Sequence, residues 1–432
     1  MREMKDSGVE WIGEIPIDWA VSKIKFVAKS NLNALSEDTA ATQMIDYIDI
    51  GSVTYTNGIE LVQRFSFDEA PSRARRVVHI GDTIISTVRT YLKAVAYIEK
   101  EYDGFIASTG FSVLTPNQGL NRKYLYYAVS SHSFISEVES NSVGISYPAI
   151  NDSVLIDLKS VFPALKTQHR IADYLDAKCA QIDRAIARQQ EAIEKLKEYK
   201  LSVITEAVTK GLNPDVPMKD SGIEWIGKIP EGWNVSSLGY NVDLIQTGPF
   251  GSQLHAEDYT DEGVYVINPA NIQNGKLYLE GAPTISNQKA TELSQHLLAL
   301  GDIVFARRGE MGRCACIEDD DQYFCGTGCM KVKCGSSLSP KFAILYLQIP
   351  FMKQYLELNS VGTTMANLNS SIISRIPMII PPFCEQEEIV VFLRHRSVLS
   401  DDAIAGKQKI IDKLTEYKKS LIYEVVTGKR EV

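Results

Sequence analysis

Long apolar runs are missing from this chain of 432 residues. No stretch reaches about 18 consecutive apolar residues, which excludes a transmembrane helix. Residues 1–6 lack the apolar core of a signal peptide, so we expect the chain to stay in the cytoplasm. In that reducing compartment its seven cysteines are expected to be free thiols.

Positive charge is also scarce. The chain has 45 Lys and Arg against 54 Asp and Glu, for a formal net charge of -9. Because phosphate contacts require cations, this balance argues against DNA binding without excluding it. A local basic patch remains compatible with it, since the patch and not the total charge meets the phosphates.

Complete nucleotide and cofactor motifs are absent. Residues 222–229 fit the P-loop pattern except at Ile229, which has no hydroxyl for magnesium, and we expect no strand before them. Residues 380–383, Ile-Pro-Pro-Phe, resemble the catalytic loop of amino-group DNA methyltransferases, but Ile380 cannot accept a hydrogen bond. We therefore predict a rigid turn between a strand and a helix at this point.

Complete nuclease and metal-binding motifs are also absent from the sequence. Glu-x-Lys at residues 198–200 and 416–418 lies on predicted helices without a preceding Pro-Asp, which favours solvated helix faces. The six histidines form no paired signature. Five cysteines are clustered at irregular spacings, so we predict buried thiols and no metal site; they are Cys314, Cys316, Cys325, Cys329 and Cys334.

An internal repeat is the strongest feature present. Residues 4–19 recur as residues 218–233, with twelve of the sixteen positions identical, and all four Trp of the chain lie inside this motif. Gly81-Asp82 returns as Gly301-Asp302, each before an apolar run, and residues 141–144, Asn-Ser-Val-Gly, return at 359–362. The halves then stay in register to Val426-Thr427. Residues 30–75 and 243–295, the middle segments of the two copies, show no alignment. One repeated scaffold therefore carries two different middle segments.

Residues 167–208 contain no Pro or Gly and are predicted to be helical, as is the matching C-terminal segment. Both carry apolar residues at alternating spacings of three and four, the pattern of a coiled-coil seam. The apolar seam residues are Ile186, Ile193, Leu196, Val203, Ile404, Ile411, Leu414 and Leu421. Polar Gln189, Lys200, Lys407 and Lys418 interrupt the two seams.

Two matched seams in one chain favour an antiparallel intramolecular coiled coil. About 40 residues give a helix of roughly 60 Å, enough to set the spacing of modules that read DNA grooves about 34 Å apart. We predict an α+β fold with two globular α/β recognition domains, separated by two long helices, with pseudo-twofold symmetry. The predicted divisions are residues 1–165 (the first module), 166–217 (long helix and linker), 218–383 (the second module) and 384–432 (long helix).

Cationic and polar side chains in loops of both modules are candidates for DNA contact, since Arg, Asn and Gln can read base edges. Arg89, Tyr91 and Lys93 are expected on a strand and turn, and Gly309 and Gly312 allow a close backbone approach beside Arg307. Any single Arg could equally be a surface salt-bridge partner. The candidates are Arg73, Arg75, Arg76, Arg89, Tyr91, Lys93, Ser146, Tyr147, Thr247, Gly248, Phe250, Ser252, Gln253, Arg307, Arg308, Arg313, Thr363, Thr364 and Asn367. We interpret the Trp motifs as packing elements that dock each module onto a helix.

The chain resembles the specificity subunits of type I restriction-modification systems. The resemblance extends over essentially the whole chain and depends on four motifs. They are Gly-x-Glu-Trp-Ile-Gly-x-Ile-Pro at 8–16 and 222–230, Thr-Gly-Pro-Phe-Gly-Ser at 247–252, Gly-Asp-Ile-Val-Phe at 301–305 and Ile-Pro-Pro-Phe-Cys-Glu-Gln-Glu at 380–387. Residues 201–209 also resemble the helix ends of the family. The first module departs from the pattern, with one Pro before Gln168 and no Gly-Pro-Phe-Gly turn.

The resemblance implies that each module binds one half of an asymmetric, interrupted DNA sequence, and that the helices fix the unread gap. It also implies two methyltransferase subunits that methylate adenine N6 with S-adenosylmethionine, and a motor-nuclease subunit for cleavage. This chain itself would hold no cofactor and no catalytic residue. The alternatives are a self-contained DNA methyltransferase or nuclease, and a coiled-coil scaffold without a DNA role.

Overall fold

A computed structural model describes residues 2–360 and 367–432. The chain forms two compact units, residues 1–190 with 408–432, and residues 191–407. Both boundaries fall inside long helices, Leu165–Lys210 and Phe383–Val426. Each unit therefore contains one globular module and a segment of each long helix.

The Trp motif forms the same small hairpin in both modules. Strand Met4–Asp6 pairs antiparallel with Glu14–Pro16, and Met218–Asp220 pairs with Lys228–Pro230 in the same register. The expectation that no strand precedes the P-loop-like segment is therefore wrong. The segment runs into a second strand, Lys228–Pro230, and not into a helix, so the hairpin leaves no helix N-terminus to hold phosphate.

Trp19 and Trp233 follow these hairpins and are almost completely buried. Each packs beside the glycine that ends a long helix within its own unit. A Cβ added at Gly428 would lie 3.1 Å from the Trp19 ring, and one at Gly211 would lie 3.1 Å from the Trp233 ring. The Trp motifs are thus packing elements at helix ends, as predicted.

Two four-stranded sheets form the first module. In spatial order their strands are Val95–Tyr97, Thr83–Ser86, Phe111–Pro116 and Ala28–Ser30 in one sheet, and Gln63–Ser66, Met44–Ile48, Ile106–Ser108 and Ala74–Val77 in the other. Strand Ala20–Lys23 pairs separately with Lys159–Phe162. The helices are Ile24–Val27, Arg122–Ser130, His132–Ser140 and Asp152–Leu155.

The second module repeats this plan. Its sheets, in spatial order, are Val242–Thr247, Cys329–Cys334, Ile303–Ala306 and Cys314–Cys316, and then Tyr259–Thr260, Thr284–Ile285, Val264–Ile267, Tyr323–Cys325 and Leu297–Leu298. Strand Asn234–Ser237 pairs with Pro377–Ile380. The helices are Asn287–Glu292, Pro340–Leu347, Pro350–Asn359 and Ser370–Ser374.

The middle segments of the two modules, residues 30–75 and 243–295, do not align in sequence but share a topology. In the first, strand Met44–Ile48 leads to a 3-10 turn and the hairpin of Val53–Thr54 with Gly58–Ile59. In the second, Val264–Ile267 leads to a 3-10 turn and the hairpin of Ile272–Gln273 with Lys276–Leu277. Each leading strand pairs in parallel with a later strand of its sheet. The sequences differ, whereas the scaffold beneath them does not.

A buried glutamine ties the start of each long helix to its module. Gln168 accepts a hydrogen bond from the Asn121 amide and donates to the Pro163 carbonyl, both at 2.8 Å. Gln386 accepts from the Ser339 amide at 2.8 Å and donates to the carbonyls of Ser337 and Pro381. The rigid turn predicted at residues 380–383 is confirmed, since the strand ends at Ile380 and the helix begins at Phe383.

The helix segments within each unit run antiparallel and carry equivalent ion pairs. Lys418 Nζ lies 2.7 Å from Asp183 in one unit, and Lys200 Nζ lies 2.7 Å from Asp401 in the other. All eight apolar seam residues are buried or half-buried. The predicted α+β fold, with repeated modules and an antiparallel helix pair, is confirmed. No helix in residues 2–360 or 367–432 is long and apolar enough to cross a membrane.

Candidate nucleic-acid interface

Four loops of the first module meet at one end of its sheets. The amide of Thr109 donates to the Arg73 carbonyl at 2.8 Å, and the amide of Thr87 donates to the Gly110 carbonyl at 2.8 Å. The amide of Ile150 in turn donates to the Thr87 carbonyl at 2.8 Å. The backbone thus brings the first basic cluster beside segments far away in sequence.

Residues 89–93 were expected on a strand and turn; the turn is present, whereas the expectation of a strand is wrong. Residues Thr90–Leu92 form a 3-10 turn, and the flanking Arg89 and Lys93 adopt left-handed conformations with φ of 51° and 54°. Hydrogen bonds from Thr90 to the Ser142 hydroxyl, at 2.9 Å, and to the Pro148 carbonyl hold this turn. Tertiary contacts therefore impose a backbone geometry that Arg and Lys rarely adopt alone.

The candidate side chains of the first module differ in their availability. Arg89 is exposed, and its guanidinium lies 5.2 Å from the ring centroid of Tyr147. Arg73 is exposed, whereas Arg75 and Arg76 are only half-buried members of strand Ala74–Val77. The remaining candidates lie in residues 89–93 and 143–149. Tyr91 and Ser146 are exposed, and Lys93 pairs with Glu139 at 3.0 Å.

The side chains of Arg75 and Arg76 lie against other parts of the first module. The guanidinium of Arg75 lies 5.0 Å from the Phe67 ring and donates to the Ala74 carbonyl. Among the described residues, the buried Nε of Arg76 has no hydrogen-bond partner. These two side chains are less available to a ligand than Arg73.

The corresponding loops of the second module also converge. The amide of Arg307 donates to the Gly328 carbonyl at 3.0 Å, and the amide of Leu368 donates to the Arg307 carbonyl at 2.9 Å. Arg307 Nε also donates to Asn367 Oδ1 at 3.3 Å, although these residues are sixty positions apart. The structure therefore brings together two candidates that the sequence had placed in separate loops.

The Thr-Gly-Pro-Phe-Gly-Ser turn lies against the same loops. The Gly248 amide donates to the Cys329 carbonyl at 2.9 Å. A Cβ at Gly248 would lie 2.0 Å from the Gly326 carbonyl oxygen, so this backbone approach requires glycine. At the turn Phe250 and Ser252 are exposed and Thr247 is half-buried. Gln253 accepts from the Phe250 amide at 3.0 Å, which leaves its amide N–H groups to donate elsewhere.

Electrostatics divides the three arginines of the second module. Arg313 pairs with Glu310 at 2.7 Å, and Lys353 pairs with the same carboxylate at 2.8 Å. Both hydrogen bonds hold the pKa of Glu310 below its usual value. Burial and the charge of Arg308 lower the pKa of Arg307, while Arg308 itself is exposed. Arg308 is thus the most available of the three.

Equivalent backbone bonds anchor the loops in both modules. In the first module the Ile150 amide donates to the carbonyl of Thr87, and in the second the Leu368 amide donates to the carbonyl of Arg307. Thr87 and Arg307 each follow the strand that begins after Gly-Asp, and Ile150 and Leu368 each lie nine positions after the Asn of the repeated Asn-Ser-Val-Gly segment.

Candidates Thr363 and Thr364 lie outside the described residues. Val143 and Ile145 were missed as candidates, although apolar residues in a polar loop are a signal that could have singled them out.

The clustered cysteines are strand residues. Cys314, Cys325 and Cys329 are buried, and burial raises the pKa of Cys314 and of Cys325 to about 12. Such thiols are protonated at neutral pH and weakly reactive. Among the described residues, no group of three or more His, Cys, Asp or Glu is arranged to hold a metal ion.

A duplicated α+β module, with a basic loop cluster at one end of each copy and paired long helices, defines a two-part recognition protein. The chain belongs to the family of the type I restriction modification DNA specificity domain, whose model matches residues 16–197 and again residues 230–416. The two matches correspond to the two copies of the repeat.

Individual relatives agree with this assignment. The specificity subunit of type I restriction enzyme MjaVIII from Methanocaldococcus jannaschii is 25% identical over 337 residues, which cover 76% of this chain and 75% of the relative. The crystal structure of the HsdS subunit from Thermoanaerobacter tengcongensis has a TM-score of 0.52 at 21% identity, covering 96% of this chain and 98% of that one. A chain from a solved type I R-M system has a TM-score of 0.76 at 20% identity, covering 96% and 99%. The two structures support the fold.

Proposed function

We propose that this chain selects the DNA target of a type I restriction-modification complex by reading a bipartite, asymmetric site. Residues 1–165 and 218–383 act as the two target recognition domains, and each contacts one half of the site. The long helices, in residues 166–217 and 384–432, set the unread gap between the halves. The two halves differ in sequence because the loops that read them differ.

The observation that carries this proposal is the equivalent placement of unlike loops in the two modules. Equivalent backbone bonds join Thr87, two residues before Arg89, to Gly110 and Ile150 in one copy, and join Arg307, next to Arg308, to Gly328 and Leu368 in the other. Exposed cations on a chain with a net charge of -9 concentrate attraction for phosphate at these loops. Side chains such as Asn367 and Gln253 supply the donors and acceptors that distinguish bases.

The chemistry belongs to partner subunits in this proposal. Two methyltransferase subunits bind S-adenosylmethionine and methylate adenine N6, and a motor-nuclease subunit cleaves unmodified DNA. This chain contributes binding to double-stranded DNA, with no cofactor of its own. It acts in the cytoplasm, where such a complex meets both host and incoming DNA.

Methylation mapping with and without this chain tests the proposal. Its methyltransferase partner is expected to co-purify with the full chain and to methylate one interrupted motif only when the chain is present. A methylation pattern that is unchanged on deletion of the chain would refute the proposal. S-adenosylmethionine binding or metal-dependent DNA cleavage by the isolated chain would instead indicate an enzyme.

A further inference from the structure

A short loop in the first module, residues 143–149 (the apolar loop), presents apolar side chains to solvent. Val143, Ile145 and Tyr147 are exposed to 81%, 103% and 67%. Tyr91, on the neighbouring 3-10 turn, is exposed to 50%. A cluster of exposed apolar side chains is unfavourable in water, and on a folded protein it marks a contact surface.

The backbone of the apolar loop is closed on itself. The Val143 amide donates to the Ala149 carbonyl at 2.8 Å, and the Ala149 amide donates back at 3.0 Å. Gly144 has a φ of 114°, and a Cβ there would lie 3.2 Å from the Tyr147 carbonyl oxygen. Ile145 is therefore held outward by a constrained turn, which reduces the entropy lost when it binds a partner.

The closed loop is fixed against the basic loop of the candidate interface. Val88 forms a β-bridge with Ala149, and the Thr90 hydroxyl donates to Ser142 at 2.9 Å. The Arg89 guanidinium lies over the Tyr147 ring. The exposed apolar tip and an exposed cation thus face solvent together, on one rigid element.

We propose that the apolar loop inserts Ile145 into the base stack of the first DNA half-site, while Arg89 contacts the adjacent phosphates. This inference rests on the proposed function. Proteins that unstack and kink DNA combine an apolar wedge with neighbouring cations, which is the combination found here. A protein partner would gain from the apolar tip but would have to desolvate Arg89, so the arrangement favours DNA.

The second copy of the repeat carries different residues at the aligned positions. Thr363 stands where the first copy has Ile145, and Met365 where it has Tyr147. The small polar Thr363 is unsuited to act as an apolar wedge. The inference is therefore made for the first half-site, where Ile145 lies.

The test uses the full chain in complex with its methyltransferase partner, on a duplex carrying the motif found by methylation mapping. 2-Aminopurine is placed at successive positions of each half-site, because its fluorescence rises when it is unstacked. The variants are Ile145→Ser and the conservative Ile145→Leu. The control is Phe26→Ser, whose side chain is 69% exposed. Phe26 is bonded to Asn117, at the far end of strand Phe111–Pro116 from the candidate interface.

We expect Ile145→Ser to weaken binding about tenfold or more and to abolish a fluorescence rise at a position of the first half-site other than the methylated adenine. The rise at the methylated adenines, which the methyltransferase extrudes from the stack, should be unchanged. Ile145→Leu retains both, and Phe26→Ser behaves as wild type. Unchanged affinity and fluorescence in Ile145→Ser overturn the inference, as does loss of methyltransferase co-purification in that variant, which would indicate a protein contact. Failure of the proposed function is visible separately, because the wild-type complex itself would then show no sequence-specific binding.

Discussion

Replacing Gln386 with Leu should loosen the junction between the second module and its long helix. Gln386 has no exposed surface and makes three hydrogen bonds of 2.8, 2.8 and 2.9 Å, to Ser339, Ser337 and Pro381. Leu is close to Gln in volume but leaves these three backbone groups unpaired. At about 1 kcal/mol for each net hydrogen bond, the local loss is about 3 kcal/mol.

The equivalent Gln168→Leu change should cost less. Gln168 makes two such bonds, to Asn121 and Pro163, so the same reasoning gives about 2 kcal/mol. The larger effect is therefore expected in the second module, although the two glutamines occupy equivalent positions in the repeat.

Native-state hydrogen exchange measures both effects locally, which matters because a chain of two units need not unfold in one transition. The Ser339 amide should exchange about 100-fold faster in Gln386→Leu, which is the factor that roughly 3 kcal/mol implies. Gln288→Leu is the control, since the Gln288 side chain is exposed and donates a hydrogen bond to Glu292 on its own helix. Unchanged protection at Ser339 would refute the reasoning.

Three further changes test other contacts. Glu385→Thr removes the acceptor 2.8 Å from the buried Trp233 indole N–H and should cost about 1.5–3 kcal/mol, seen as a lower melting temperature of that unit. Lys418→Ala breaks the partly exposed pair with Asp183 and should cost about 1 kcal/mol or less, a loss that 1 M salt reduces in urea titrations. Arg308→Ala in the assembled complex should lower the slope of log affinity against log salt by about 0.9. An unchanged slope would show that Arg308 makes no phosphate contact.

The long helices and the duplication could be predicted from sequence because their signals are local or repetitive. Heptad spacing at Ile193 and Ile411 needs only the helical period, and the Trp motif recurs nearly intact. The Trp environments themselves were not predictable. Trp233 bonds to Glu385, whereas the buried Nε1 of Trp19 has no hydrogen-bond partner among the described residues.

The candidate interface was less predictable because distant contacts assemble it. Arg89 was expected on a strand and turn, but bonds from Thr90 to residues more than fifty positions away hold a turn in which Arg89 has a left-handed backbone. The contact of Arg307 with Asn367 likewise depends on the return of the chain after several strands. Residue type identified side chains able to contact DNA, and only the fold shows that they converge.

Half-site mapping tests the central claim most directly. Methylated adenines would be mapped with the wild-type chain, and with the variants Gln253→Ala/Asn367→Ala and Arg73→Ala, which remove side chains able to contact base edges, each alongside the methyltransferase partner. The account predicts one interrupted motif with unlike halves, in which each variant relaxes a different half and leaves the other unchanged. A single continuous motif, or the same change from both variants, would contradict the reading of two half-sites by two separate modules.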